Sequence, residues 1–184
     1  YVQYLAEGDG AGGNIGPDAA AVYKRDIGVK QVAVSVWCVG EESKASAQWT
    51  QQKHILEHYQ VAFVDTPDNK KYDVLVDALF GVGLSREVKG EYAEALRIFQ
   101  RTKGYKLALD VPSGICSDTG KILGCAVMAD ETITFGFEKR GLYLFPGCSH
   151  AGRVQLADVG IGSAAFCGVA PEMCCLEETD IGTM

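Results

Sequence analysis

The stretch Tyr72-Asp73-Val74-Leu75-Val76-Asp77-Ala78-Leu79-Phe80-Gly81-Val82-Gly83 decides the fold. It is nearly all apolar up to the Gly-Val-Gly break, as in a strand covered on both faces of a sheet. A carboxylate, Asp77, stands inside it. The pattern recurs at Leu107-Ala108-Leu109-Asp110, which Pro112-Ser113-Gly114 stops. Working outward, strands are expected at 2–6, 31–39, 61–64, 72–80 and 105–111. Helices are expected at 17–25, 43–59 and 91–100. Pro17 suits a first helical turn. Ala45, Trp49, Gln52, Leu56 and Tyr59 share one face of the second helix. Shorter strand-like pieces follow at 126–129, 132–137 and 153–159. Strand and helix alternate over the first 115 residues, which predicts an α/β fold with a parallel sheet and helices on both faces. Residues 163–184 show no period and read as an extension or linker.

The 184 residues suit one domain with one core, and 47% are apolar, enough for a packed fold. No apolar run approaches the ~20 residues that cross a bilayer. The net charge of -7, with no basic run, excludes an ordinary nucleic-acid binder. The seven cysteines, at 38, 116, 125, 148, 167, 174 and 175, are odd in number and include no CxxC pair. They read as free thiols in a reducing, cytoplasmic compartment. No signal peptide is visible, and the chain begins at Tyr1 rather than Met.

In an open parallel sheet, ligands bind beyond the carboxyl ends of the strands. Three such ends carry candidate chemistry. Asp77 and Asp110 each follow an apolar run, where a carboxylate is costly to bury unless it is paired. Two of them at one sheet edge point to a cation, a shared proton, or both. The plainer reading is that each caps a turn. The third end is the cluster Gly8-Asp9-Gly10-Ala11-Gly12-Gly13, which matches the dinucleotide fingerprint. The fit is poor: the helix starts late, and Glu41 and Glu42 come about 28 residues after Gly13, not ~20. A glycine-rich loop before a helix still suits a phosphate. His54-Ile55-Leu56-Glu57-His58 has zinc-site spacing but reads as a solvated helix face. Lys139, after a strand end, reads as a phosphate contact or a plain surface lysine. Cys174-Cys175 is assigned no role.

Val76 to Ser85 resembles the DALFGTGLSR segment of the YjeF N-terminal domain family, and Gly90-Glu91-Tyr92-Ala93-Glu94 fits its continuation. Leu109-Asp110-Val111-Pro112-Ser113-Gly114-Ile115, then Asp118-Thr119-Gly120, resembles its DIPSGL…DTG signature. Ala129 to Gly136, Gly147, Gly152 to Val154 and Asp158 to Ile161 match later blocks, so the resemblance spans about residues 72–161. It implies a Rossmann-like three-layer α/β/α sandwich, usually dimeric, with a bound potassium ion. The implied activity is NAD(P)H-hydrate epimerase, interconverting the R and S forms of hydrated NADH and NADPH (NADHX and NADPHX). Asp77 and Ser113 match potassium ligands. Gly81, Val82, Gly83, Leu84, Ser85, Arg86 and Glu87 match a loop that wraps the substrate. Asp110 matches the aspartate that meets the hydrated nicotinamide and is the expected acid/base.

The first loop departs from the family's G-N-N-G-G-D-G. The best alignment gives Gly13-Asn14-Ile15-Gly16-Pro17-Asp18-Ala19. Gly13, Asn14 and Asp18 are then substrate contacts, and Asn14 is also a potassium ligand. Ile15 replaces a second ligand position, and Pro17 removes a backbone donor. The expected layout is an epimerase domain over 1–162 without the family's N-terminal helical segment, then 163–184. Glu177 to Met184 resembles the linker to a hydrate dehydratase domain in two-domain members. Two other readings are a non-catalytic nucleotide- or protein-binding domain of this fold, favoured by the altered loop, and an NAD-dependent dehydrogenase, opposed by the poor fingerprint.

Overall fold

The structure, a computed structural model, describes residues 2–7, 33–68, 71–161, 165 and 173. Its strands are β1 (Val2–Glu7), β2 (Val34–Val39), β3 (Ala62–Val64), β4 (Val74–Ala78), β5 (Tyr105–Leu109), β6 (Glu131–Phe135) and β7 (Arg153–Ala157). They form one sheet in the order β3-β2-β1-β4-β5-β6-β7, with every pairing parallel. Strand order reverses between β1 and β4, the switch point at which such sheets open a crevice. Asp77, opposite Leu5 on one side and Ala108 on the other, lies on that line.

Successive side chains of a strand point to opposite faces, so each buried strand feeds two cores. Trp37, Leu75 and Ala108 join one core, with Ala93, Leu96 and Phe99 of helix α2 (Gly90–Arg101). Val36, Val76, Leu107 and Leu109 join the other, with Leu56 of helix α1 (Ala47–His58). The result is the expected three-layer Rossmann-like sandwich. Burial of Phe99 or Leu75 alone contributes about 1.5–3 kcal/mol. A third cluster, Val111, Ile115, Leu142 and Ala151, packs under the loop after β5.

Two expectations need correction. Helix α1 starts at Ala47, not 43, because the Ser46 hydroxyl accepts the Trp49 amide at 3.1 Å and caps it. A separate 3-10 turn, Glu42–Lys44, precedes it. Residues 126–129 form no strand. β5 pairs directly with β6, as in Leu107↔Glu131, and leaves no slot for them. The segment instead crosses between loops, its Val127 amide donating to Ser113 and its Ala129 amide to His150, both at 2.9 Å. It is apolar because Val127 is fully buried. The expected helix at 17–25 lies outside the described residues, as do Cys167, Cys174, Cys175 and most of 163–184. Cys38, Cys116, Cys125 and Cys148 carry free thiols. Among the described residues no helix is long and apolar enough to cross a membrane.

Candidate active site

Because β4 and β5 are parallel neighbours, the loops at their carboxyl ends meet. Asp77, 1% exposed, sits near the end of β4. Its Oδ1 accepts the Ser113 hydroxyl at 2.6 Å and, more weakly, the Leu79 amide at 3.4 Å. Its Oδ2 accepts the Ser113 amide at 2.8 Å. The Ser113 hydroxyl, itself fully buried, accepts the Phe80 amide at 2.9 Å. No lysine or arginine among the described residues pairs with Asp77. Burial therefore pushes its carboxyl up to about 6, opposed by the Ser113 hydroxyl and amide and the Leu79 amide.

Asp110, 4% exposed, has a left-handed backbone with φ 69°. A non-glycine residue held there costs about 1–3 kcal/mol, and such strain concentrates at functional sites. Its amide donates to the Ile133 carbonyl at 2.7 Å, extending the β5–β6 ladder. Its Oδ1 pairs with the Lys139 ammonium at 2.7 Å, and its Oδ2 accepts the Val82 amide at 3.2 Å. Lys139 also donates to the Phe135 carbonyl at 2.7 Å, and its side chain is only 16% exposed. A Cβ at Gly81 would sit 2.9 Å from Asp110 Oδ2, so a side chain there would displace the carboxylate.

Each carboxylate therefore has its own partners, and among the described residues neither bonds the other. A shared proton has no support in this geometry. The turn-capping reading is present in part: Asp77, Ser113 and Asp110 together hold the amides of Leu79, Phe80 and Val82. Capping accounts for no part of the Asp110–Lys139 pair or of the strained backbone at Asp110.

The loop from Gly81 begins with a turn in which the Leu84 amide donates to the Gly81 carbonyl at 3.3 Å. Val82, Gly83, Ser85, Arg86 and Glu87 are exposed, the Val82 amide bonding Asp110 and Glu87 pairing with Lys89, whereas Leu84 packs on the larger core. Lys139 is not a solvent lysine; it is turned inward onto Asp110. Ser117, which sequence reasoning passed over, reaches the Val82 carbonyl with its hydroxyl at 3.5 Å. No local signal marks it. Gly13, Asn14, Ile15, Pro17 and Asp18 lie outside the described residues. His54 is 73% exposed and bonds Glu57 on its own helix, and no metal-holding group of His, Cys, Asp and Glu occurs among the described residues.

The Asp77 end of the site fits a potassium ion by its donor chemistry. It offers a buried carboxylate without a countercharge, the spare lone pair of the Ser113 hydroxyl, and the Phe80 carbonyl 3.4 Å from that hydroxyl. These are hard oxygen donors.

Fold and site together define a Rossmann-like α/β/α domain with two buried aspartates at the carboxyl ends of neighbouring central strands. The chain belongs to the family described as YjeF-related protein N-terminus, whose model matches residues 8–141. It is similar to a protein of Levilactobacillus brevis named NAD(P)H-hydrate epimerase, 38% identical over 152 residues, covering 82% of this chain and 70% of the relative. Another protein of that name, from Oenococcus oeni, is 41% identical over 150 residues, covering 81% and 71%. A third, from Limosilactobacillus fermentum, is 39% identical over 147 residues, covering 79% and 70%.

Proposed function

We propose that this chain is an NAD(P)H-hydrate epimerase, an isomerase that interconverts the R and S forms of hydrated NADH and NADPH at C6. The names of its relatives support the reaction. The observation that carries the assignment of the site is Asp110: a buried carboxylate on a strained backbone, with Oδ2 bonded to the amide of Val82 in an exposed glycine loop.

The hydrated ring carries its hydroxyl on the carbon beside the ring nitrogen. Asp110 Oδ2 accepts the hydroxyl proton as the C6–N1 bond opens to an aldehyde, the electron pair of that bond passing to N1, and returns the proton when the ring recloses. The opened form has a planar C6 without configuration. Reclosure on the opposite face gives the other epimer. Such a positioned acid/base contributes about 10²–10⁴-fold. The Val82 amide donates to Oδ2 at 3.2 Å. The backbone of Gly81, Val82 and Gly83, with Ser85, Arg86 and Glu87, borders the substrate, and Gly13, Asn14 and Asp18 would be further substrate contacts. Asp77, Ser113 and Asn14 would hold potassium, which supplies a positive charge beside the substrate. A homodimer, a cytoplasmic place of action and a following dehydratase domain belong to the same proposal and rest on the family resemblance.

The test is epimerisation of purified R-NADHX in potassium buffer, with the two epimers separated by chromatography. A rate well above the protein-free blank is expected. A rate equal to the blank from folded protein would favour the non-catalytic domain, for which the altered loop at Ile15 and Pro17 argues.

A further inference from the structure

We propose that Lys139 is the positioning residue of the reaction: it immobilises Asp110 Oδ1 and thereby leaves Oδ2 as the oxygen that meets the substrate. The proposal rests on the epimerase reading and on Asp110 as its acid/base.

A free lysine is a flexible point charge with three donors. This one is neither free nor flexible. Its ammonium is fixed between the Phe135 carbonyl at the end of β6 and Asp110 Oδ1 at the end of β5, each at 2.7 Å. Both bonds point into the protein, and the side chain is 16% exposed. That geometry does not suit a residue reaching outward for a phosphate.

The two carboxylate oxygens are unequally held. Oδ1 has the short, charge-assisted bond to Lys139. Oδ2 has a single 3.2 Å bond, from the amide of the exposed Val82. A substrate hydroxyl can share Oδ2 without disturbing the ion pair. The missing side chain at Gly81 leaves Oδ2 its place, since a Cβ there would lie 2.9 Å from it. Without Lys139 the carboxylate can rotate about its Cβ–Cγ bond, and the two oxygens become interchangeable. The lysine thus acts through Asp110 and touches no reacting atom.

The experiment is steady-state epimerisation by wild type, Lys139→Met, Lys139→Arg, Asp110→Asn and the Asp110→Asn/Lys139→Met double variant, each checked for folding by circular dichroism. Lys139→Met is expected to lower kcat about 100-fold with KM within about twofold, the size of effect that a ~1 Å misplacement causes. Lys139→Arg keeps the charge and is expected to recover most of that loss. In the Asp110→Asn background, Lys139→Met is expected to remove nothing further. A raised KM at unchanged kcat would overturn the inference in favour of a phosphate contact. An unchanged kcat and KM in Lys139→Met, or a full additional loss in the double variant, would overturn it as well. If Lys139→Met does not fold, Lys139→Arg decides: a kcat as low as that of Asp110→Asn would overturn it. A wild-type rate in Asp110→Asn alone would instead sink the reading of Asp110, a distinct result.

Discussion

Replacing Ser113 with alanine removes one oxygen from the middle of the site, and the structure says what that oxygen does. It donates to Asp77 at 2.6 Å and accepts from the Phe80 amide at 2.9 Å, with the side chain fully buried. Alanine fits the same space, so no cavity forms. A hydrogen bond to a charged group is worth about 1.5–3 kcal/mol, and a partly buried amide left without an acceptor adds roughly 1 kcal/mol. Ser113→Ala should therefore destabilise the protein by about 2–4 kcal/mol in urea denaturation. At about 2–4 °C per kcal/mol for a domain of this size, Tm falls by roughly 5–15 °C. The loss should also depend on pH. The hydroxyl favours the ionised form of Asp77, whose carboxyl burial has already pushed up to about 6. Removing it moves that carboxyl further up, so the deficit is larger at pH 8 than at pH 4.5. A deficit below ~1 kcal/mol, equal at both pH values, would refute the reasoning, because the Ser113–Asp77 bond would then contribute little.

Asp77 binds a proton more readily folded than unfolded, so wild-type stability in potassium-free buffer should fall as pH rises from about 4 to 6 and then level off, by up to ~3 kcal/mol for a rise from the ordinary carboxyl value of 3.8 to about 6. Asp77→Asn should lack that slope, and a slope retained in the variant would assign it to another group. Potassium added at pH 8 should raise the Tm of wild type but not of Asp77→Asn, read by differential scanning calorimetry against a sodium control. Gly81→Ala puts a Cβ 2.9 Å from Asp110 Oδ2, well inside ordinary contact, so kcat should drop about 100-fold with little change in Tm. An unchanged kcat would mean that Oδ2 has room to move. His54→Ala and His58→Ala should leave activity and Tm unchanged within error, with zinc present or absent, since His54 is largely exposed and lies on no metal group among the described residues.

The sheet was legible because its central strands announce themselves. Val74-Leu75-Val76 and Leu107-Ala108-Leu109 are apolar on consecutive residues, as in a strand with a helix layer on each face. Asp77 and Asp110 were legible for the same reason, as charges at the ends of such runs. The misreading at 126–129 came from equating apolar with strand. Val127 is buried by crossing between loops, and no sequence period separates the two cases. Helix α1 was read too long because Glu42 to Lys44 makes a 3-10 turn of its own, although Ser46 was a visible cap. The least legible feature is the partner of Asp110. Lys139 is 29 residues away, on the loop after β6, and only the β5–β6 pairing brings it to the carboxylate. Nor does the sequence dictate the left-handed backbone of Asp110, though aspartate tolerates it better than most residues.

The central claim is that Asp110 is the acid/base of an epimerase. Its most direct test is the initial rate of R-to-S conversion of NADHX by Asp110→Asn against wild type, at equal concentrations of folded protein and with the protein-free rate subtracted. Asparagine keeps the shape but has one acceptor oxygen for two donors, the Lys139 ammonium and the Val82 amide, and it cannot take a proton. The account predicts a wild-type rate well above blank and a fall of about 10²–10⁴-fold in the variant at similar KM. Equal rates for the two proteins would contradict it.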